Sequence, residues 1–339
     1  MPDYRHMQEM SRGNGILQFS HLDTADPTSG FTLDDNARAL ILAMEMPGGR
    51  EYAICYTSFL YQSQHKDGSW SNFMRDGKYS SLFNSDDSVG RALLACSLGS
   101  SSPWPEISEK CQEMLLRNLP RAFSFQSPRA IAYTLIGLCK CQWSGLGTRQ
   151  QDFIKKLGEF LINLYQGQHS QKWLWFEEYL TYCNGILPQA MFALYQQTAD
   201  KRALKIGYDS LNFLNSILFR QGYLNIIGND GWYFRDQEIA LFDQQPVDAA
   251  STAFACMEAY ESIGEIEFLE LAILAHKWYR GHNIHGLSLY NAETGGCYDA
   301  ITREGVNLNQ GAEAVLSLLL SDKLMENFIE KKVDIDQSS

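Results

Sequence analysis

Six times along the chain a polar or acidic turn gives way to small residues and then to an apolar run at helical spacing. The six segments are LDDNARALILAM from Leu33, SDDSVGRALLACS from Ser85, SPRAIAYTLIGLCK from Ser127, LTYCNGILPQAMFALY from Leu180, QPVDAASTAFACMEAY from Gln245 and NQGAEAVLSLLLS from Asn309. Their starts recur every 40 to 65 residues or so, the period of helical-pair repeats. Beyond their first turns they are rich in Ala, Gly and Leu and poor in charge. That composition suits inner helices packed on most faces, where small side chains let neighbours approach closely.

More amphipathic segments lie between them: Tyr52 onward, Glu109 onward, Gln151 onward, Arg202 onward and Glu267 onward. Each carries Lys, Arg or Glu on one face and aliphatics at helical spacing on the other, as an outer helix does. A sixth outer helix comes from either terminus, Tyr4–Arg12 or Asp322–Val333, and the sequence does not choose. Six alternations of inner and outer helix predict an all-α (α/α)6 toroid, a single domain over 1–333 with a frayed tail at 334–339. Closure explains why no repeat has an obvious capping end. An open solenoid is the alternative; the irregular period and the long aromatic-rich inserts argue against it.

One local motif supports the ring. FLYQSQHKDGSW, from Phe59 to Trp70, fits F-L-x-x-x-Q-x-x-x-G-x-W and resembles the QW motif of terpenoid cyclases, which are double-helix toroids. There the Gln caps a following helix and stacks on the Trp, tying outer helices together. The D-x-D-D acid motif of those cyclases is absent, so the resemblance implies fold and not their chemistry.

Charge and motifs exclude several functions. The chain of 339 residues carries a net charge of −12, which excludes a general affinity for phosphate backbones. No apolar run approaches a bilayer span and MPDYRHMQEMSRGNG has no leader-like stretch, so the expectation is a soluble, cytoplasmic protein without nucleic-acid or membrane partners. The eight cysteines lie mostly in apolar helical stretches and read as free thiols in a reducing compartment. Phosphate-cradling, dinucleotide and nucleophile-elbow motifs are missing, and His282 and His285 form an isolated pair. No metal or cofactor is expected.

In a toroid the inner helices run the same way, so their N-terminal ends meet around one mouth. Asp34, Asp86 and Ser127 read first as helix caps. In the doubled acids one carboxylate caps and the other, Asp35 or Asp87, faces the mouth. Asp248 and Glu313 stand at comparable places. The stretch QKWLWFEEYLTYCNG sets Trp173, Trp175 and Phe176 beside Glu177 and Glu178; a carboxyl against apolar rings has its pKa raised, which suits a general acid. The alternative is that these tryptophans plug the core and the glutamates are solvated. Long Gly-containing loops add Trp232, Tyr298, Asp299 and Asn309, and GSWSNFMRDGK adds Trp70. Aromatic faces beside acids and amides suit a polyhydroxylated ligand.

GFTLDDNARALI, WLWFEEYLTYCNGILPQA, IGNDGWYF, QQPVDAAS and GGCYDAITREGVNLNQGAEA together resemble bacterial proteins encoded with mannoside phosphorylases and glycosyltransferases, which are similar to the six-hairpin glycosidase superfamily. The resemblance runs from about Gly30 to Leu320. It implies glycoside cleavage by two carboxylates, an oligosaccharide substrate and association with a glycosyltransferase. It also implies that Asp35, Asn36, Arg38, Glu177, Glu178, Asp248 and Glu313 are shared positions. Cys183 stands where that group tends to have Asp, which puts catalysis in question. The expected acid is Glu177, with Asp35, Asp87 or Asp248 as partner. The expected substrate contacts are Trp70, Arg38, Asn36, Trp175, Glu178, Trp232, Tyr298, Asp299, Asn309 and Glu313. Two other readings stay open: a glycan-binding partner without catalysis, and a sugar epimerase, which would need a histidine pair in the mouth.

Overall fold

Every run read as an inner helix forms one. They are α2 (Leu33–Glu45), α4 (Asp86–Gly99), α6 (Pro128–Lys140), α8 (Ile186–Thr198), α10 (Pro246–Ile263) and α12 (Ala312–Ser338). Between them run the outer helices α1 (Arg5–Met10), α3 (Arg50–Ser63), α5 (Pro105–Asn118), α7 (Thr148–Gln168), α9 (Lys201–Leu218) and α11 (Ile266–Lys277). This computed structural model describes residues 2–83 and 85–338, with side chains up to Lys332. The tail expected at 334–339 lies outside the described side chains.

Each inner helix packs against the next, and α12 returns to α2, so the ring is closed. The outer helices α3, α5, α7, α9 and α11 each back the inner helix that precedes them. The sixth outer position is filled from the N-terminus: the single short helix α1 packs on α12, while 322–333 continues α12 itself.

Local chemistry explains where the inner helices begin. Thr32, Ser85 and Ser127 have extended backbones, and their hydroxyls accept from the amides of Asp35, Asp87 and Ala130. The caps of α2 and α4 are therefore Thr32 and Ser85, not Asp34 and Asp86 as expected. A hydroxyl two residues before Asp34 and one before Asp86 takes the orphan amide and leaves both acids of each pair free for other partners. Close approach of the inner helices needs glycine at two places. A Cβ on Gly90 would stand 2.7 Å from the Ala130 Cα, and one on Gly137 would stand 2.9 Å from the Leu94 Cα.

The outer helices show the expected two faces. In α9, Ala203, Ile206, Ser210, Leu211 and Leu214 are buried, whereas Lys201, Arg202, Lys205 and Tyr208 face water. The QW-like segment also ties outer helices together. Gln64, just past α3, donates from Nε2 to the Met114 carbonyl of α5 at 3.0 Å, and the Trp70 indole donates to the Leu60 carbonyl at 2.9 Å. Short antiparallel strands decorate the loops; the largest set joins Phe31–Thr32, Phe73–Arg75 and Lys78–Ser80. Among the described residues no helix is long and apolar enough to cross a membrane.

Candidate active site

The starts of α2, α4, α10 and α12 surround a cavity of about 440 Å³. Asp34 and Asp35 come from the first turn of α2, Glu313 from that of α12, and Ser85, Ser88 and Arg91 from α4. Loops complete the wall with Phe19, Asn72, Phe83, Asn229, Asp243, Asp299 and Asn307. The repeat explains this convergence: equivalent first turns of a closed ring point at the same place.

Two arginines hold the floor. Arg38 reaches Asp34 at 2.7 Å, Asp35 at 3.3 Å and Glu313 at 2.8 Å. Arg91 reaches Asp34 at 2.9 Å, and its guanidinium lies 4.5 Å from the centre of the Tyr133 ring. Arg38, Arg91 and Tyr133 stand equally far beyond the caps Thr32, Ser85 and Ser127, so they are one repeat position seen three times. Beneath them the ring axis holds a mostly apolar cavity of about 180 Å³, walled by Ile41, Leu94, Ile136, Val247, Phe254 and Leu320.

Carboxylates outnumber cations here, and their protonation reflects it. Burial works against the Asp34 anion, but Arg38 and Arg91 together hold its carboxyl below the ordinary range. Burial pushes Asp35 up to about 7, against the pull of Arg38 and with help from Asp34 and Glu313. Burial likewise carries Asp248 up to about 8, although it accepts the Cys183 amide at 2.6 Å. Asp299, bonded to the Gly311 amide at 2.6 Å, rises to about 6 for the same reason. The Glu313 charge contributes to all three shifts, so these acids share one electrostatic neighbourhood.

Glu177 and Asp87 belong to a second cluster, one helix pair away. Glu177 does not press its carboxylate on the neighbouring rings; it meets Arg129 of α6 at 2.9 Å. Arg129 also donates to Thr181 at 2.8 Å and to the Tyr182 carbonyl at 2.7 Å. Asp87 accepts from the Tyr182 hydroxyl at 2.5 Å and from Ser127. Both acids are buried, and neither lines the cavity. The two clusters adjoin through Asp248, which feels the Arg129 charge. Of the three acids expected to converge, Asp35 and Asp248 share the Glu313 neighbourhood and Glu177 stands beside it.

Several expected substrate contacts are corrected. Trp175 is fully buried, packed edge-on against Phe176 and beside Phe213, so it is a core plug. Trp70 is buried in the QW-like tie. Asn36 is fully buried and bonds the Ile16 amide at 3.1 Å and the Thr32 carbonyl at 2.8 Å, which fixes the entry to α2. Trp232 packs near Tyr182, with ring centres 6.1 Å apart. Tyr298 accepts from Asn291 at 3.2 Å, and Asn309 takes the Leu22 amide at 2.9 Å. Glu178 is exposed, and its carbonyl accepts from the Arg235 amide at 2.9 Å. None of these four lines the cavity. Arg38 stands behind the wall, paired with its acids, and Asp299 and Glu313 line the cavity.

No family model matches the chain, and no curated protein matches it. Solved structures do. A cellobiose 2-epimerase from Bacillus thermoamylovorans B4167 is similar with a TM-score of 0.72, covering 94% of this chain and 95% of that one at 9% identity. A sugar epimerase from a ruminal bacterium has a TM-score of 0.71 over 94% and 95% at 11% identity. A GH76 α-mannanase from Bacteroides thetaiotaomicron has a TM-score of 0.59 over 85% and 82%, also at 11% identity. The shared fold is an (α/α)6 toroid. Epimerases and hydrolases both occur on it, so the chemistry has to come from the cavity.

No histidine lines that cavity among the described residues. His65 bonds Ser71 at 2.9 Å, and His285 bonds the Thr302 carbonyl at 2.8 Å and stacks on Phe242. Cys183 is buried, with its sulfur 3.5 Å from Arg91, and burial pushes its thiol up to about 11. Sequence reasoning missed Arg91, although its register with Arg38 in the repeat was a usable signal. It also missed Asp243, Asn229, Phe19 and Phe83, which sit on inserts outside the repeat.

Proposed function

We propose that this chain is a carbohydrate-processing enzyme, a glycoside hydrolase acting on short oligosaccharides through carboxylates in the mouth of the ring. The observation that carries the reading is the cavity wall itself: Asp35, Asp299 and Glu313 line it together, and Asp35 is pushed up to about 7. A carboxyl that stays protonated near neutral pH is fit to donate. In this reading Asp35 gives its proton to the glycosidic oxygen as the bond to the anomeric carbon breaks. Glu313, on the same Arg38 guanidinium, takes the proton of the water that attacks that carbon. Asp248 supports from behind, and Glu177 and Asp87 hold the loop before α8.

A histidine-based epimerase is the weaker reading, because the cavity wall has no histidine among the described residues. A non-catalytic glycan-binding protein, working beside a glycosyltransferase in the cytoplasm, is the second reading. Cys183 favours it, because a neutral thiol stands beside Arg91. Incubation with manno- and gluco-oligosaccharides, followed by chromatographic separation and mass analysis of the products, separates the three. Hydrolysis gives shorter sugars, epimerisation gives isomers of unchanged mass, and thermal stabilisation without product indicates binding alone.

A further inference from the structure

The cavity has two unlike rims. Phe19 and Phe83 line it while 52% and 49% exposed. Half of each ring's surface is thus left to solvent beside carboxylates and amides. They are nonetheless held in place. Asn72 brackets the Phe83 backbone, accepting its amide at 3.2 Å and donating to its carbonyl, and the Phe83 ring meets Phe73 edge-on with centres 5.2 Å apart. The Phe19 amide donates to the Ser29 hydroxyl at 3.1 Å, and its carbonyl accepts from the Asp26 amide at 3.0 Å.

Phe83 lies in the approach to α4, the second inner helix. Asn229 and Asp243 lie in the approach to α10, the fifth, which stands opposite α4 in a ring of six. Phe83 therefore sets a flat apolar face across the mouth from hydrogen-bonding groups, and Phe19, in the approach to α2, adds a second such face to the wall. A pyranose ring has the same two-sidedness, a C–H face and a hydroxyl edge. We infer that Phe19 and Phe83, together with Asn229 and Asp243, form an outer sugar subsite in the cavity that holds the carboxylates. The ligand is then a neutral oligosaccharide of at least two units, with one sugar at the acids and the next stacked on the rim. This rests on the carbohydrate reading above. Preorganised rings lose little freedom on binding, so each stacked face contributes affinity.

Calorimetric titration of the full chain with manno- and cello-oligosaccharides of one to four units tests it. The expected result is a gain in wild-type affinity from the monosaccharide to the longer sugars. Phe83→Ala and Phe19→Ala then each weaken the longer sugars by about five- to tenfold, the scale of losing one buried apolar face. They leave the monosaccharide unchanged, and Phe83→Trp restores the gain. Both side chains are half exposed, so unchanged melting temperatures certify folding. Wild-type binding that is independent of length, or length dependence untouched by the alanine variants, overturns the subsite and leaves the carbohydrate reading standing. A wild type that binds none of the sugars overturns both.

Discussion

The ring holds two clusters of buried acids that differ in how they are matched. Around Arg129, Glu177 has its own guanidinium and Asp87 has two hydroxyl donors. Around Arg38, the carboxylates Asp34, Asp35 and Glu313 share one guanidinium, with Arg91 reaching only Asp34. The first cluster is satisfied and closed; the second is crowded with acid and open to a cavity. Satisfied acids fix structure, whereas acids in excess keep protons near neutral pH and can trade them. Acids at the starts of inner helices or in the loops before them produce both, and the difference comes from the cations placed beside them.

The comparison breaks most readily at the mouth. Glu313→Gln and Asp35→Asn should each lower kcat/KM by about 10²–10⁴-fold while the melting temperature shifts little, measured on oligosaccharide turnover. Glu177→Gln should do the reverse. It strands the Arg129 charge in a buried setting, so denaturant unfolding should show a loss of about 3–5 kcal/mol. Turnover per folded molecule should fall less than about tenfold. A stable but inactive Glu177→Gln protein would return catalysis to the satisfied cluster.

Asp248 gives a pH signature. Its carboxyl is raised to about 8 in the folded protein and titrates near the ordinary value when unfolded, so between these limits the folded state binds the extra proton. Stability should therefore fall as pH rises from about 4 to 8 and level off above that. Asp248→Asn keeps an acceptor for the Cys183 amide and removes the charge. It should flatten that slope and stabilise the protein at pH 8 by on the order of a few kcal/mol, read from melting curves across pH. The smallest effect is expected at Cys183. Its thiol is buried and raised to about 11, so iodoacetamide should leave it unmodified near pH 7.5. Cys183→Ser should change stability by about 1 kcal/mol or less.

What was legible in the sequence follows from what repeats. Helix order and the inner and outer faces come from periodicity, which a single chain displays; of Glu177, Asp35 and Asp248, expected to converge on one cavity, Asp35 alone is in its wall. The matching of acids to bases was not legible. It depends on Arg129 meeting Glu177 across 48 residues and Arg38 meeting Glu313 across 275, and no local pattern encodes those pairs. Trp70 and Trp175 looked like sugar platforms because tryptophan in a loop resembles a ligand contact. Both are core, since a large ring in a loop between helices is as useful for packing as for binding. The exposed rings in the cavity wall are Phe19 and Phe83, on inserts with no repeat to place them.

Turnover in ¹⁸O-labelled water tests the central claim most directly, with wild type, Glu177→Gln and Glu313→Gln compared at equal folded concentration. If the open cluster performs hydrolysis, wild type and Glu177→Gln place one ¹⁸O on the anomeric carbon for each bond cleaved, and Glu313→Gln places almost none. Products that are unlabelled isomers of unchanged mass, or labelling by Glu313→Gln at the wild-type rate, would contradict the account.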